Sequence, residues 1–349
     1  MRQLTKIAAF VASATLVLAG CAQPEPESGG GGGDGGQGAG SDVRVGLAYD
    51  VGGRGDQSFN DAAARGLDRA TEEFGLQSEE LEAADGEAES AREDRLIQLA
   101  DAGYNPIIAV GFAYSSSVAK VAPQYPEVSF AIVDDAEAKG DNIANLLFAE
   151  EEGSFLVGAA AALKTKTDHI GFVGGVEVPL IQKFEAGYIA GAKEVNPNIR
   201  VDVTYLTQPP EFSGFADPAK GRTAATGMFD AGADIVYHAA GGSGSGVFEA
   251  AKAGNGWAIG VDSDQYKTAS PGLRDVILTS MIKKVDVAVF DYLEAFVNGQ
   301  PLTGEQVYNL EDNGVAYSTS GGFIDDITDQ LDEYKQQIMA GDIKVPSTP

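Results

Sequence analysis

The stretch Asp50-Val51-Gly52-Gly53-Arg54-Gly55-Asp56-Gln57-Ser58-Phe59-Asn60 holds the residues best suited to chemistry. Its glycines permit a tight loop, and the loop delivers an aromatic ring beside an amide. A ring stacks on a flat heterocycle while an amide reads donors and acceptors along the heterocycle's edge. Phe59 has a second use open to it, stapling the start of a helix into the core. Further polar or glycine-rich clusters stand at Gly111–Ser116, Asp134–Asp135, Gly174–Pro179, Tyr237–Gly246 and Asp262–Gln265.

Each cluster directly follows a short apolar run. VRVGLAY (43–49), PIIAVG (106–111), VSFAIVD (128–134), HIGFVGG (169–175), IRVDVTYL (199–206), DIVYHAA (234–240), WAIGVD (257–262) and VILTSMI (276–282) read as strands. A more polar strand is expected near 76–81. Helical spacing of apolar residues fills the gaps, over 58–74, 88–102, 115–121, 153–164, 179–195, 218–231, 245–253, 285–297 and 325–340. Ser58 is the expected N-cap of the first helix, with Asp61 three residues on. Continuous apolar strands alternating with helices define an α/β chain with parallel sheets covered on both faces. Two successive series of similar length imply two similar lobes. Ligands of such sheets lie beyond the carboxyl ends of the strands, where the clusters fall.

Compartment is read from the first residues. Arg2 and Lys6 precede an uncharged, largely apolar stretch, Ile7 to Gly20, which is shorter than the roughly 20 residues a spanning helix needs. Leu18-Ala19-Gly20-Cys21 resembles a lipobox, and Cys21 is the only cysteine, so it has no partner for an internal disulfide. Residues 1–20 are therefore expected to be a lipoprotein signal peptide, Cys21 to carry the lipid anchor, and the Gly-rich 21–42 to be a flexible tether. Asp plus Glu outnumber Lys plus Arg by 52 to 24, a net charge of −28, which opposes binding to nucleic acid.

Several other signals carry little. The glycines of 241–246 lack the Lys-Ser/Thr of a phosphate loop. His169 and His238 fall on separate strands, and Asp262, Asp264 and Asp312 do not follow a calcium-loop pattern. No Ser, Cys or His stands in a nucleophile–base arrangement, so the chain reads as a binding protein without metal or cofactor rather than an enzyme.

D-x-G-G-x-x-D-x-S-F-N (50–60) resembles the opening motif of the basic membrane protein family, substrate-binding lipoproteins of ABC-type nucleoside importers. FAIVD (130–134), AGGSGSGVFEAAK (240–252), GVDSDQ (260–265) and LTSMIKKVD (278–286) match in the same order, so the resemblance runs from Val43 to about Ile343. It implies a type I periplasmic-binding-protein fold, two Rossmann-like lobes with a three-stranded hinge. The lobes would be 43–148 with about 281–305, and 149–280 with about 306–349. It further implies a purine nucleoside (adenosine, guanosine, inosine or similar) in the interlobe cleft and an ABC permease as membrane partner. Residue by residue, Phe59 and Tyr237 would sandwich the base, Asn60 and Asp134 read its edge, and Asp50 line the cleft. Asp262 and Lys283 would hold the ribose, with Gly242 giving backbone contact and Lys284 the rival for the lysine's place. A sugar or autoinducer sensor on the same fold, or a secreted nucleoside hydrolase using the Asp50–Asp56 region, are the competing functions.

Overall fold

A computed structural model describes residues 42–84 and 86–349. The leader 1–20, Cys21 and all of the tether 21–42 except Asp42 lie outside the described residues. In chain order the elements are β1 (Arg44–Ala48), α1 (Phe59–Phe74), β2 (Gln77–Leu81), α2 (Glu89–Asp101), β3 (Ile107–Val110), α3 (Ser115–Val121), β4 (Phe130–Val133) and β5 (Ile143–Phe148). They continue with α4 (Glu150–Lys164), β6 (His169–Val176), α5 (Pro179–Val195), β7 (Arg200–Thr207), α6 (Pro218–Asp230), β8 (Ile235–Ala239), α7 (Gly244–Gly254) and β9 (Trp257–Asp262). The last are α8 (Gln265–Thr268), β10 (Ile277–Lys283), α9 (Val285–Val297), β11 (Gly304–Tyr308), β12 (Val315–Tyr317) and α10 (Thr328–Met339).

Two six-stranded sheets form, ordered β11-β5-β4-β3-β1-β2 and β12-β10-β9-β8-β6-β7. The orders are equivalent strand for strand, β1 with β6 through β5 with β10, so each lobe repeats one wiring. All pairs are parallel except β10 with β12, which is antiparallel. The central strands β3, β4, β6 and β8 are buried along their whole length, as strands covered on both faces must be. The edge strand β2, QSEEL, is polar and half exposed. Carboxylates on an edge also discourage pairing with another chain.

The chain crosses between the sheets between Phe148 and Glu150, at Lys283–Val285 and between Tyr308 and Val315. Sheet membership thus moves two expected lobe boundaries: position 281 lies inside β10 of the second sheet, and 305 lies inside β11 of the first. β5, β11 and β12 had no clear signal. β5 carries a buried Asn145, whose Nδ2 donates to the carbonyls of Asp135 and Ala138 at 2.9 Å each, and this polar residue breaks its apolar run. β11 is a polar edge strand, and β12 has three residues.

Helices α4 and α5 meet in close contact. A Cβ on Gly158 would lie 2.1 Å from the Tyr188 carbonyl oxygen, one on Gly187 2.1 Å from that of Glu151, and one on Gly191 1.9 Å from that of Phe155. Backbone meets backbone there, and neither helix can yield cheaply. Gly191→Leu is accordingly expected to lose about 1–3 kcal/mol of stability by urea denaturation. Gly227→Ala, on the open face of α6 with nothing within 4 Å, is expected to gain about 0.5–1 kcal/mol.

Candidate functional site

The first loop sets the site. Asp56, not Ser58, closes the start of α1: its carboxylate accepts the backbone N–H groups of Ser58 (2.9 Å), Asn60 (2.9 Å) and Asp61 (3.1 Å). Asp61 turns back to the N–H groups of Gly55 (2.7 Å) and Gln57 (3.0 Å). Ser58 makes no cap bond. A carboxylate two residues upstream meets more of the orphan donors of the first turn than a hydroxyl can. Ser58 is thereby freed to cross to the second lobe, where its Oγ donates to Asp262 Oδ2 at 2.7 Å. Ser263 Oγ returns a bond to the Ser58 carbonyl at 2.8 Å, and Gln265 Nε2 and Thr268 Oγ1 both donate to the Gln57 carbonyl at 3.1 Å.

Between the lobes lies a cleft of about 520 Å³, counting the solvent space at its mouth. Asp50, Phe59, Asn60, Asp134, Asp262 and Lys283 all line it. Asp134 directly follows β4 and Asp262 ends β9, equivalent strands, and both adopt left-handed backbone (φ 64° and 62°). Aspartate tolerates that conformation better than most residues, and such positions cluster at ligand sites.

Charge is concentrated at the floor. Lys283, the last residue of β10, pairs with Asp134 and stands 3.6 Å from Glu150, which in turn accepts from Lys183 at 3.1 Å. Its ammonium also lies over the rings of Phe59 (4.8 Å), Phe148 (5.3 Å) and Phe184 (5.4 Å). Burial pulls the lysine down, but Asp134, Glu150 and Asp262 more than reverse it and keep Lys283 charged. Burial pushes Asp134 up to about 6 against the pull of Lys283, and pushes Asp50 and Asp56 up to about 6 against their backbone N–H bonds. Burial raises Asp262 as well, with Lys283 and Ser58 opposing. Asp134 Oδ1 is buried and has no hydrogen-bond partner among the described residues. Among these residues no His, Cys, Asp and Glu group could hold a metal ion.

Three placements differ from the sequence reading. Tyr237 does not reach the cleft. It is fully buried inside β8, its ring against Tyr188 (5.0 Å) and Phe172 (5.5 Å) and its hydroxyl 3.2 Å from Ser154 Oγ. A residue within a strand cannot reach beyond the strand's end, where Ala239 and Gly241 line the cavity. The second-lobe rings in the cleft are Phe184 and Phe215, with Phe112 added from the first lobe. Phe215 follows β7, a strand end that the clusters singled out above leave out. Gly242 does not line the cavity, unlike its neighbour Gly241; a Cβ on it would lie 3.5 Å from the Phe215 carbonyl oxygen and 3.9 Å from Asp56 Cβ. Asn60 lines the cleft with its amide already engaged: Oδ1 accepts from the Asp50 N–H at 3.1 Å, and Nδ2 donates to Asp56 at 3.2 Å and Val51 at 3.3 Å. Lys284 points instead into a separate polar groove with Ser318 and Asp286.

Two equivalently wired lobes, three chain crossings and a cleft fed by both sets of strand ends define a type I solute-binding protein. A solute-binding protein of an ABC transporter system from Aeropyrum pernix shares this fold, with TM-score 0.76 and 30% identity over 87% of this chain and 93% of that one. The chain belongs to the Bmp family, described as ABC transporter substrate-binding protein PnrA-like, which matches residues 43–349. It is 38% identical to the CD4+ T-cell-stimulating antigen of Listeria monocytogenes over 88% of this chain and 89% of that protein. It is 33% identical to the ABC transporter nucleoside-binding protein BmpA of Lactococcus lactis over 99% of each. This is a family of substrate-binding proteins.

Lys283→Met is expected to cost about 3–5 kcal/mol of stability at pH 7.5, because buried Asp134 and Asp262 lose their cation and Glu150 keeps only Lys183. Asp134 is held above its unfolded value, so the destabilisation it causes grows as pH rises from that unfolded value and is complete by about 6; without the pull of Lys283 its carboxyl rises further, so the deficit added by this variant develops above about 6. Urea denaturation at pH 5 should therefore show a smaller deficit for this variant than at pH 7.5.

Proposed function

We propose that the chain is an extracytoplasmic, membrane-anchored receptor that binds a nucleoside, a purine nucleoside first, and presents it to an ABC permease. The observation carrying this reading is the pairing of chemistries in one cleft: aromatic rings from both lobes, a buried acceptor without a partner, and an acid beside an amine. Phe59 and Phe215 supply faces for a flat base, and a stacked face contributes roughly 1–3 kcal/mol. Asp134 Oδ1 accepts from the N–H groups of the base edge. Asp262, fixed by Ser58, accepts from the vicinal hydroxyls of the pentose, and Lys283 donates to the same sugar while keeping the carboxylates ionised. Asp50 and Asn60 shape the first-lobe wall. BmpA of Lactococcus lactis, similar along its whole length, is a nucleoside-binding protein by name. The leader, the lone Cys21 and the glycine-rich tether support lipid anchoring, and no helix among the described residues is long and apolar enough to cross a membrane.

Ligand contacts from both lobes favour the closed arrangement, so binding and closure are one equilibrium. A site built around sugar hydroxyls discriminates strongly against an analogue that lacks them. A thermal-shift and calorimetry panel of nucleosides, free bases and sugars tests the reading. Ribonucleosides are expected to raise the melting point, by about 2.7 kcal/mol of stabilisation at a hundredfold excess over Kd. Free bases are expected to do so far less. Asp262→Ala should weaken nucleoside binding about a hundredfold. Comparable affinity for adenine and adenosine, or release of hypoxanthine from inosine, would refute the receptor reading.

A further inference from the structure

Beside the cleft, three side chains from the two lobes meet that the cleft chemistry does not use as a unit. Phe212, in the loop after β7, packs edge-on against Phe112 of the first lobe, with centroids 5.7 Å apart and planes at 77°. Phe215 meets the same Phe112 ring at 6.3 Å and 74°. Above Phe212 lies the Arg92 guanidinium, also from the first lobe, 5.9 Å from the ring centroid. Arg92 is buried, stands 3.6 Å from Glu87, and its Nε has no hydrogen-bond partner among the described residues. Phe212 is thus gripped from two sides by the opposite lobe, yet it does not line the cavity.

Its loop is held firmly to its own lobe. Ser243 Oγ donates to the Gly214 carbonyl and accepts from the Asp217 N–H, both at 2.7 Å. A Cβ on Gly214 would lie 2.0 Å from the Gly175 carbonyl oxygen, and one on Gly175 2.5 Å from the Phe215 ring. Such a segment is a fixed tooth rather than a mobile lid. When the lobes part, the tooth leaves Phe112 and Arg92, so these contacts exist only in the closed arrangement. An interaction present in one state alone shifts the equilibrium between the two.

We infer that Phe212 is a positioning residue that latches the lips through Phe112 and Arg92, setting the lifetime of the closed receptor without touching the solute. The inference extends the nucleoside reading and shares its assumption that the lobes close on a ligand. A latch acts on every ligand alike and chiefly on dissociation, because it holds a complex already formed.

The test uses the full chain with Phe212→Ala and Phe212→Tyr, followed by stopped-flow and calorimetry with adenosine and guanosine. Phe212→Ala is expected to speed dissociation of both nucleosides by the same factor, about tenfold, the size of one or two aromatic edge contacts. Association and the melting point of the ligand-free chain should stay near those of the unmodified protein, and Phe212→Tyr should restore slow dissociation. An unchanged dissociation rate, or a loss confined to one nucleoside, overturns the latch. A ligand-free arm separates this from failure of the nucleoside reading: the ligand-free chain also samples the closed arrangement, so amide hydrogen exchange over 111–116 should quicken in Phe212→Ala without any nucleoside. Equal exchange in the two proteins contradicts the inference even where nucleosides do not bind.

Discussion

One lysine among three buried carboxylates is the constraint on which this molecule is organised. Lys283, Asp134, Glu150 and Asp262 are all nearly or fully removed from water. Isolated charges cannot be held there, and a group that loses its counter-charge costs several kcal/mol. The four are supplied by the ends of β4, β9 and β10 and by the start of α4, so the cluster forms only when both sheets and two of the crossings are in register. Lys283 is the residue before the second crossing, and Glu150 is the first residue of α4 after the first. Folding of the lobes and creation of the cleft are therefore one event. The net negative excess at the floor leaves acceptors outnumbering the one ammonium that faces the cavity, which suits a neutral ligand rich in N–H and O–H groups and opposes a phosphate.

Equivalent wiring of the lobes explains why the cleft is paired. Asp134 and Asp262 occupy matching strand ends with matching left-handed backbone, and Gly111 and Gly241 follow matching strands, each with positive φ. Each lobe thus offers a carboxylate and a tight, glycine-opened turn to the shared space. What differs between them is aromatic: Phe59 rides the start of α1, whereas Phe184 and Phe215 come from α5 and the loop after β7. The asymmetry gives a flat ligand two unlike walls.

Much of this was legible from residues alone. Strand and helix periodicity located both βα series, since buried parallel strands must be apolar throughout. The rule that ligands lie beyond strand ends brought Asp50, Asn60, Asp134 and Asp262 to one place. Failures share a physical cause, since they depend on long-range geometry that local pattern does not encode. Ser58 looks like a helix cap, and only the neighbouring Asp56 carboxylate and the distant Asp262 decide otherwise. Tyr237 and Phe215 are both aromatic and near strand ends; which one faces the cleft depends on whether the residue lies in the strand or past it. Lys283 and Lys284 are adjacent, and the last ladder position of β10 sends one to the cleft and the other to the outer groove. β5 and β11 join strands far apart in sequence, and their composition carries too few apolar residues or too broken a run to announce them.

In the proposed function, ionised buried carboxylates held by Lys283 receive the ligand. Calorimetry of adenosine or guanosine binding across pH tests it most directly. Asp50 and Asp134 sit near 6, so affinity should be level from pH 8 to about 7 and weaken as pH falls through 6, with protons released on binding below that point. Affinity that stays constant or strengthens between pH 8 and 5 would contradict it.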